Sequence, residues 1–250
     1  MTLSKPISCS SCPLYATSTG YGHDRLGDKP VLPDTDLSRV KLVVWLEALG
    51  NTEVAQGLAI VGDSRFVMEQ WGFRAVPELQ LMNDRGEILY ANTLRCRPKK
   101  NGDRAYPIGE ERTEAERVCR QYDLIPPKIP ILACGEIAQR LFFRQEMLEE
   151  DNADKKQGRE IRGLMGRLGR VWQKDGRSYI FGPHPAYIMR QPQLIEHLHQ
   201  VLRITWSVIN GLYKPIEFSV SHDMPDSGDI GVDLEYVPET AKITVQGFAW

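Results

Sequence analysis

The stretch KLVVWL (residues 41–46) is a short apolar run with the length and composition of a buried parallel strand. A loop with three glycines follows it, and a helix is predicted around residues 64–72. Three further apolar runs each precede a segment with helical character, and they are EILYAN (87–92), IPILAC (129–134) and RSYIFGPHP (177–185). Strands that alternate with helices predict an α/β fold, here a three-layer sandwich around a central four-stranded, mainly parallel sheet.

Two helices are predicted between these strands, over residues 110–122 and from about residue 135 onward. A third is predicted after the last strand, over residues 193–213. The highly charged residues 150–160 are predicted to form a loop. Cys134, at the end of the third strand, is expected to be a buried small hydrophobe. His197 and His199 lie two apart on a predicted helix and are expected at the surface.

The composition is that of an ordinary globular protein, with 42% hydrophobic and 26% charged residues. No apolar run reaches the roughly 18 residues of a membrane span, and the start MTLSKPISCSSC does not read as a secretory signal. We therefore expect no membrane association and a cytoplasmic location; the family resemblance described below implies a bacterial or phage-infected cell. In that compartment, clustered cysteines hold metals more often than they form disulfides.

The net charge of −2 excludes a polycation, but two local basic patches remain. Either patch could follow a phosphate backbone, and the alternative is a solvated surface loop. The two patches are Arg95, Arg97, Lys99, Lys100 and Arg104, and Lys155, Lys156, Arg159, Arg162, Arg167 and Arg170.

Four of the five cysteines could meet if the chain folds back on itself. Cys9 and Cys12 form the close pair CSSC, Cys96 lies in RCRP, and Cys119 ends AERVC. Four thiolates at one point suit either an iron–sulfur cluster or a structural zinc ion. The cysteines alone leave both possibilities open.

Polar side chains are predicted just after three of the strands, at Glu47, Asn92 and His184. Ligands of parallel α/β sheets bind beyond the carboxyl ends of the strands, so these residues are site candidates. The alternative for each one is a loop residue whose polar atoms are satisfied by water.

Seven segments, in order over roughly residues 9–190, resemble the motifs of one family. That family is the iron–sulfur (family-four type) uracil-DNA glycosylases, together with their phage polymerase-associated relatives. The segments are CSSCPLY (9–15), VVWLEALG (43–50), QGLAIVG (56–62), YANTLRCRP (90–98), AERVC (115–119), IRG (161–163) and GPHPAYIMR (182–190).

The resemblance implies a DNA-repair hydrolase that extrudes uracil from single- or double-stranded DNA and cleaves its N-glycosidic bond. His184 would hydrogen-bond the uracil O2, and Glu47 would lie near the sugar as the second catalytic residue. Asn92 would read the uracil edge, beside Gly57 and Ile60 in the substrate-binding loop. The remaining implied roles are phosphate contacts by Arg97 and Arg190, and a 4Fe–4S cluster held by Cys9, Cys12, Cys96 and Cys119.

The chain departs from the family pattern at Leu46, Leu49, Ala59 and Ile60. Ile60 replaces an aromatic residue that stacks on the extruded uracil, and an aliphatic side chain supplies only part of that stacking. These departures favour an alternative function, a non-catalytic DNA-binding module at the amino terminus of a phage-type DNA polymerase. A third possibility is a four-cysteine zinc domain. The spacing between Cys96 and Cys119 is longer than is usual in the family and predicts an inserted loop around Asn101–Tyr106.

The last segment has a different character, so we predict one domain over residues 1–214 and a second over 215–250. GVDLEYVPETAKITVQGFAW resembles the first motif of the DEDD 3′–5′ exonucleases, in which Asp233 and Glu235 would hold metal ions. The alternative is an exposed acidic strand. We expect this short β segment to be the truncated start of an exonuclease-like domain, with a downstream polymerase or exonuclease chain as a partner.

Overall fold

The computed structural model describes residues 7–20, 25–26, 29–30, 37–99, 106–120, 125, 128–158, 161, 163–215, 230–237 and 242–249. The chain divides into two compact units, Met1–Asn210 and Gly211–Trp250. Within the described part of the chain, no helix has both the length and the apolar character needed to cross a membrane.

The first unit is built on a seven-stranded sheet in the order β2-β1-β4-β3-β5-β7-β6. The four central strands, β4, β3, β5 and β7, are parallel to one another, and the outer strands pair antiparallel. The strands are β1 Arg25–Leu26, β2 Lys29–Pro30, β3 Leu42–Ala48, β4 Ile88–Leu94, β5 Ile131–Cys134, β6 Val171–Lys174 and β7 Arg177–Gly182. The predicted α/β class and central parallel sheet are thus confirmed, and the sheet is wider than predicted.

Helices cover both faces of the sheet. They are α1 Asn51–Gln56, α2 Gly62–Phe66, α3 Pro77–Asp84, α4 Gly109–Arg120, α5 Glu136–Lys156, α6 Pro185–Arg190 and α7 Ile195–Ile209. The side chains of β3 alternate between two cores, because successive residues of a strand point to opposite faces. Val44 packs in the core that contains α7, and Trp45 packs in the core that contains α5. These two cores separate the three layers.

Several local predictions were wrong. Residues 150–156 were predicted to form a loop but belong to α5. A helix can accommodate these charged residues because Asp151 and Asp154 face the protein and other charged side chains face solvent. Strand β6 was missed, and the glycine-rich loop contains α1, which ends at Gly57. Glu47 and Asn92 lie inside their strands rather than after them, since the pairing of β3 with β4 extends to Ala48 and Leu94.

Not all of the predicted surface residues are exposed. Arg167 is 1% exposed and forms ion pairs with Glu150 and Asp151 at 3.1 and 2.6 Å, so it fixes the loop after α5. Arg95 is also buried. His199 is partly buried, and its Nε2 lies 2.8 Å from the carbonyl oxygen of Trp71. His197 is exposed and Cys134 is fully buried, as predicted.

The second unit contains an antiparallel hairpin of β8 (Ile230–Val237) and β9 (Lys242–Ala249). Its register pairs Asp233 with Gln246 and Glu235 with Thr244. The backbone therefore forms the two strands predicted from the sequence. The predicted domain boundary and the exonuclease-like character remain predictions.

Candidate active-site cleft and cysteine cavity

A cleft of about 950 Å³ opens beyond the carboxyl ends of the parallel strands. Parallel α/β sheets bind ligands at this edge, because the loops after neighbouring strands converge there. The cleft is lined by the end of β3 and the residues after it, the segment after β4, the turn after β5, the loop after α5, and α6. The lining residues are Glu47, Ala48, Leu49, Gly50, Asn51, Arg97, Pro98, Tyr106, Gly135, Glu136, Ile137, Ile161, Gly163, Leu164, Met165, His184, Ala186, Tyr187 and Arg190.

His184 reaches the cleft as the N-cap residue of α6, directly after β7. Its Nδ1 accepts a hydrogen bond of 3.2 Å from the backbone N–H of Ala186. A neutral ring that accepts at Nδ1 carries its proton on Nε2, so Nε2–H is the available donor. Burial, followed by the positive charge of Arg190, lowers the pKa of His184 to about 4. The imidazole is therefore neutral at pH 7.

Gly135 allows this placement of the imidazole. Its φ of +88° is rare for residues with a side chain, and a Cβ there would lie 3.0 Å from the Cβ of His184. The turn after β5 can therefore approach the turn after β7 only because residue 135 is glycine.

Glu47 occupies the neighbouring wall at the end of β3. Burial raises the pKa of Glu47, and the positive charge of Arg190 opposes that rise. The strand end is held rigidly, because Trp45 donates to the Thr93 hydroxyl at 3.1 Å and that hydroxyl donates to the Leu46 carbonyl at 2.9 Å. Glu47 and His184 thus share one cleft and one nearby cation.

Asn92 lies beneath the cleft and is only 2% exposed. Its Nδ2 donates a hydrogen bond of 2.6 Å to the carbonyl oxygen of Ala59. Its Oδ1 is buried and has no hydrogen-bond partner among the described residues. A buried acceptor without a partner costs about 1–3 kcal/mol, which a donor from a bound molecule would offset.

The other two residues predicted to contact substrate also lie away from the cleft wall. Ile60 is 1% exposed and packs in the core beside Ala59. Gly57 is buried and ends α1 in the left-handed conformation, with φ at 70°, which explains the glycine locally. Their predicted substrate contacts remain predictions.

Both predicted phosphate-binding residues border the cleft. Arg97 is fixed through its backbone, which exchanges hydrogen bonds of 2.9 and 3.1 Å with Thr19. The Arg190 guanidinium lies 5.7 Å from the ring centre of Tyr187. These two cations place positive charge on the lining of the cleft.

Tyr106, Leu164 and Met165 also border this cleft but were not among the predicted site residues. Tyr106 ends the predicted inserted loop, whose other residues, 101–105, lie outside the described part of the chain. Ile161 and Gly163 belong to the IRG segment of the family resemblance. Burial, and then the charges of Glu116 and Glu47, raise the pKa of the Tyr106 hydroxyl. That hydroxyl is therefore within electrostatic range of the catalytic candidate Glu47.

The four cysteines singled out in the sequence border a second, smaller cavity. The thiols come from the amino-terminal turn, the segment after β4, and α4. Each is 7–8% exposed, and the cavity is completed by apolar side chains. The lining residues are Cys9, Cys12, Leu14, Tyr15, Ser18, Cys96, Val118 and Cys119.

The electrostatics agree with this proximity. The pKa of Cys119 is raised to about 12, chiefly by burial and to a smaller extent by the nearby Cys96 and Cys12, while a hydrogen bond from the Arg95 backbone opposes the rise. Among the described residues, no three His, Cys, Asp or Glu side chains are placed to hold a single metal ion. The site thus offers four thiols that border one small cavity.

The fold and cleft define an α/β protein with a ligand site at the carboxyl edge of a parallel sheet. The sequence matches the family described as the Uracil DNA glycosylase superfamily over residues 33–206, and the chain belongs to that family. The match includes Glu47, Asn92 and His184. A comparison with curated proteins finds no match.

Proposed function

We propose that this protein is an iron–sulfur uracil-DNA glycosylase that extrudes uracil from DNA and hydrolyses its N-glycosidic bond. Membership of the superfamily supports a DNA-acting glycosylase fold in general. The observation that carries the finer proposal is His184, a neutral imidazole whose remaining donor is Nε2–H, in the same cleft as Glu47.

The chemistry follows from that donor. When the bond between the uracil N1 and the sugar C1′ breaks, its electron pair moves onto the base and negative charge develops at O2. The Nε2–H of His184 would donate a hydrogen bond to that oxygen, the kind of stabilisation that is typically worth 10²–10³ in rate. A neutral donor suits this role, because it keeps its proton while the base departs.

Glu47 would act on the sugar. An ionised carboxylate next to C1′ stabilises the cationic sugar and accepts a proton from the attacking water. The water oxygen then bonds to C1′ and keeps its second hydrogen as the new hydroxyl. Glu47 releases the proton it accepted to solvent, and the uracil anion takes one proton from solvent. The raised pKa of Glu47 makes it a better proton acceptor than an ordinary glutamate.

Asn92 would select the base. One N–H of Nδ2 already donates to Ala59, and the acceptor Oδ1, which has no partner among the described residues, is left for substrate. Uracil presents a donor at N3–H, whereas cytosine presents an acceptor at N3. An acceptor at Asn92 therefore favours uracil over cytosine. The base can reach this acceptor only when the Ala59–Ile60 segment moves aside.

The cysteine cavity would hold a 4Fe–4S cluster on Cys9, Cys12, Cys96 and Cys119. The donor set fits, because it consists of four thiols in apolar surroundings. Zinc requires four sulfurs within about 2.3 Å of one ion, whereas each thiolate of a four-iron cluster binds a different iron. The bound cluster would supply a covalent link between the amino-terminal turn, β4 and α4.

A second function is favoured by one observation. Asn92 is covered, and Ile60 lies in the core instead of on the cleft wall. A closed base pocket suits a DNA-binding module of a phage-type polymerase, held on DNA by Arg97 and Arg190. For residues 215–250, the proposal is an exonuclease-like segment in which Asp233 and Glu235 bind metal ions.

Uracil excision from single- and double-stranded oligonucleotides tests the proposal. Wild type should release uracil, and His184→Ala should be at least about 100-fold slower. His197→Ala is the matched control, because His197 is an exposed histidine outside the cleft. Salt-dependent DNA binding without excision by wild type would favour the binding module instead.

A further inference from the structure

The cleft contains an aromatic surface that the family resemblance does not assign. An extruded base packs against flat apolar or aromatic side chains in its pocket. Ile60, at the position expected to supply this contact, is 1% exposed and lies in the core. The two tyrosines that border the cleft are Tyr106 and Tyr187.

The two tyrosine rings differ in how available they are for contact with a bound base. The Arg190 guanidinium lies over the Tyr187 ring at 5.7 Å from its centre. Tyr106 instead packs against the cysteine layer, the apolar cluster that includes Leu94 and Val118. Part of the Tyr106 ring therefore rests on the protein interior while the residue borders the cleft.

Tyr106 is also held at its hydroxyl end. The hydroxyl makes a long hydrogen bond of 3.4 Å to the Glu116 carboxylate. Glu116 is itself held by Arg112 at 3.4 Å and Arg144 at 3.1 Å. A ring fixed at both its face and its tip loses little conformational entropy when a ligand packs on it.

We infer that Tyr106 is a substrate-binding residue whose ring packs against the extruded base or its sugar. This inference rests on the proposed glycosylase function. It gives an aromatic ring to a cleft whose expected stacking position, Ile60, is aliphatic.

Two substitutions separate the ring from the hydroxyl. Tyr106→Phe keeps the ring and loses the bond to Glu116, whereas Tyr106→Leu keeps apolar contact with the cysteine layer and loses the aromatic face. The probe is a single-stranded oligonucleotide with one 2′-fluoro-2′-deoxyuridine, which resists cleavage, compared with the same strand containing thymine. Excision rate, iron per chain and Tm are measured in parallel, with Tyr213→Leu as a control outside the cleft.

We expect Tyr106→Phe to stay within about threefold of wild type, and Tyr106→Leu to bind the fluorinated strand about tenfold or more weakly. Iron content should be unchanged in both. Equal losses in the two variants, or no loss in either, would overturn the inference while leaving excision by wild type intact. Faster excision by Ile60→Phe, with no loss in Tyr106→Leu, would place the aromatic contact at residue 60 and also overturn it.

Failure of the proposed function gives a different pattern. Wild type would then neither excise uracil nor prefer the fluorinated strand over thymine. In that case the role of Tyr106 is lost together with the glycosylase.

Discussion

The cysteine cavity and the cleft are neighbours, yet they are built in opposite ways. Cys96 borders the cavity and the next residue, Arg97, borders the cleft. The cavity is closed, small and lined by one reactive residue type in apolar surroundings. The cleft is open and collects different polar groups from β3, the turns after β5 and β7, and the stretch before α4.

This difference determines what each region tolerates. The cavity depends on the identity of all four thiols, because each would bind a different iron. The chemistry proposed for the cleft depends on the protonation state and orientation of a few side chains, such as the neutral imidazole of His184. Changes in the cavity should therefore affect metal content and stability together, and changes in the cleft should affect rate or affinity alone.

The largest effect is expected from Cys119→Ser. Loss of one of the four proposed ligands should remove most of about four irons and the accompanying sulfide. Stability should fall with metal content, since metal-binding energy is folding energy at such sites. Iron, sulfide and Tm of anaerobically purified protein measure this.

Cys134→Ser is the matched control for that experiment. Cys134 is fully buried but does not border the cavity, so its replacement should lower stability and keep the iron. One zinc per wild-type chain without sulfide would contradict the cluster. Equal iron loss in both variants would show that folding, and not ligation, controls metal content.

The next effect concerns the pH dependence that Glu47 gives to excision. Burial raises the folded-state pKa of Glu47, so the ionised form disappears as pH falls through a value above that of an ordinary glutamate. His184 stays neutral until about pH 4. Tyr106 remains protonated throughout this range, because burial raises the pKa of its hydroxyl.

We therefore expect the wild-type rate to fall on the acid side before His184 titrates. Glu47→Gln should slow excision about 100-fold or more and move the acid limb down to the titration of His184. The raised pKa also means that protonated Glu47 favours folding, a contribution lost as pH rises through its folded pKa. Single-turnover rates between pH 4 and 9 measure the first effect, and an unchanged acid limb in the variant would exclude Glu47 as its source.

The parts of the structure that depend on local sequence patterns could be predicted from the sequence. Apolar runs such as KLVVWL predicted the parallel strands, and four cysteines predicted one shared site. Two features could not be read in this way. The burial of Arg167 depends on its partners Glu150 and Asp151, 16 to 17 residues away in sequence. The position of Tyr106 at the cleft depends on tertiary contacts that no local pattern indicates.

A smaller effect is expected from Asn92→Leu, which tests how the buried amide reads the base. The change removes the acceptor Oδ1 and leaves the uracil N3–H without a partner, at a cost of about 1–3 kcal/mol. We expect excision to slow by about 10- to 100-fold, with iron content unchanged. A variant that keeps the wild-type rate on uracil would show that Oδ1 does not contact the base.

The smallest effect is expected from Arg97→Ala, and it tests the border between the two regions. Arg97 follows a proposed cluster ligand, but its side chain borders the cleft. Removal of one phosphate contact should weaken DNA binding a few-fold and reduce the slope of log K against log salt by about 0.7–0.9. Arg203→Ala, at an exposed position on α7, is the control and should leave the slope unchanged. Loss of iron in Arg97→Ala would contradict this separation of the two regions. It would show that the arginine side chain also supports the backbone pairing of Arg97 with Thr19, beside the cysteine cavity.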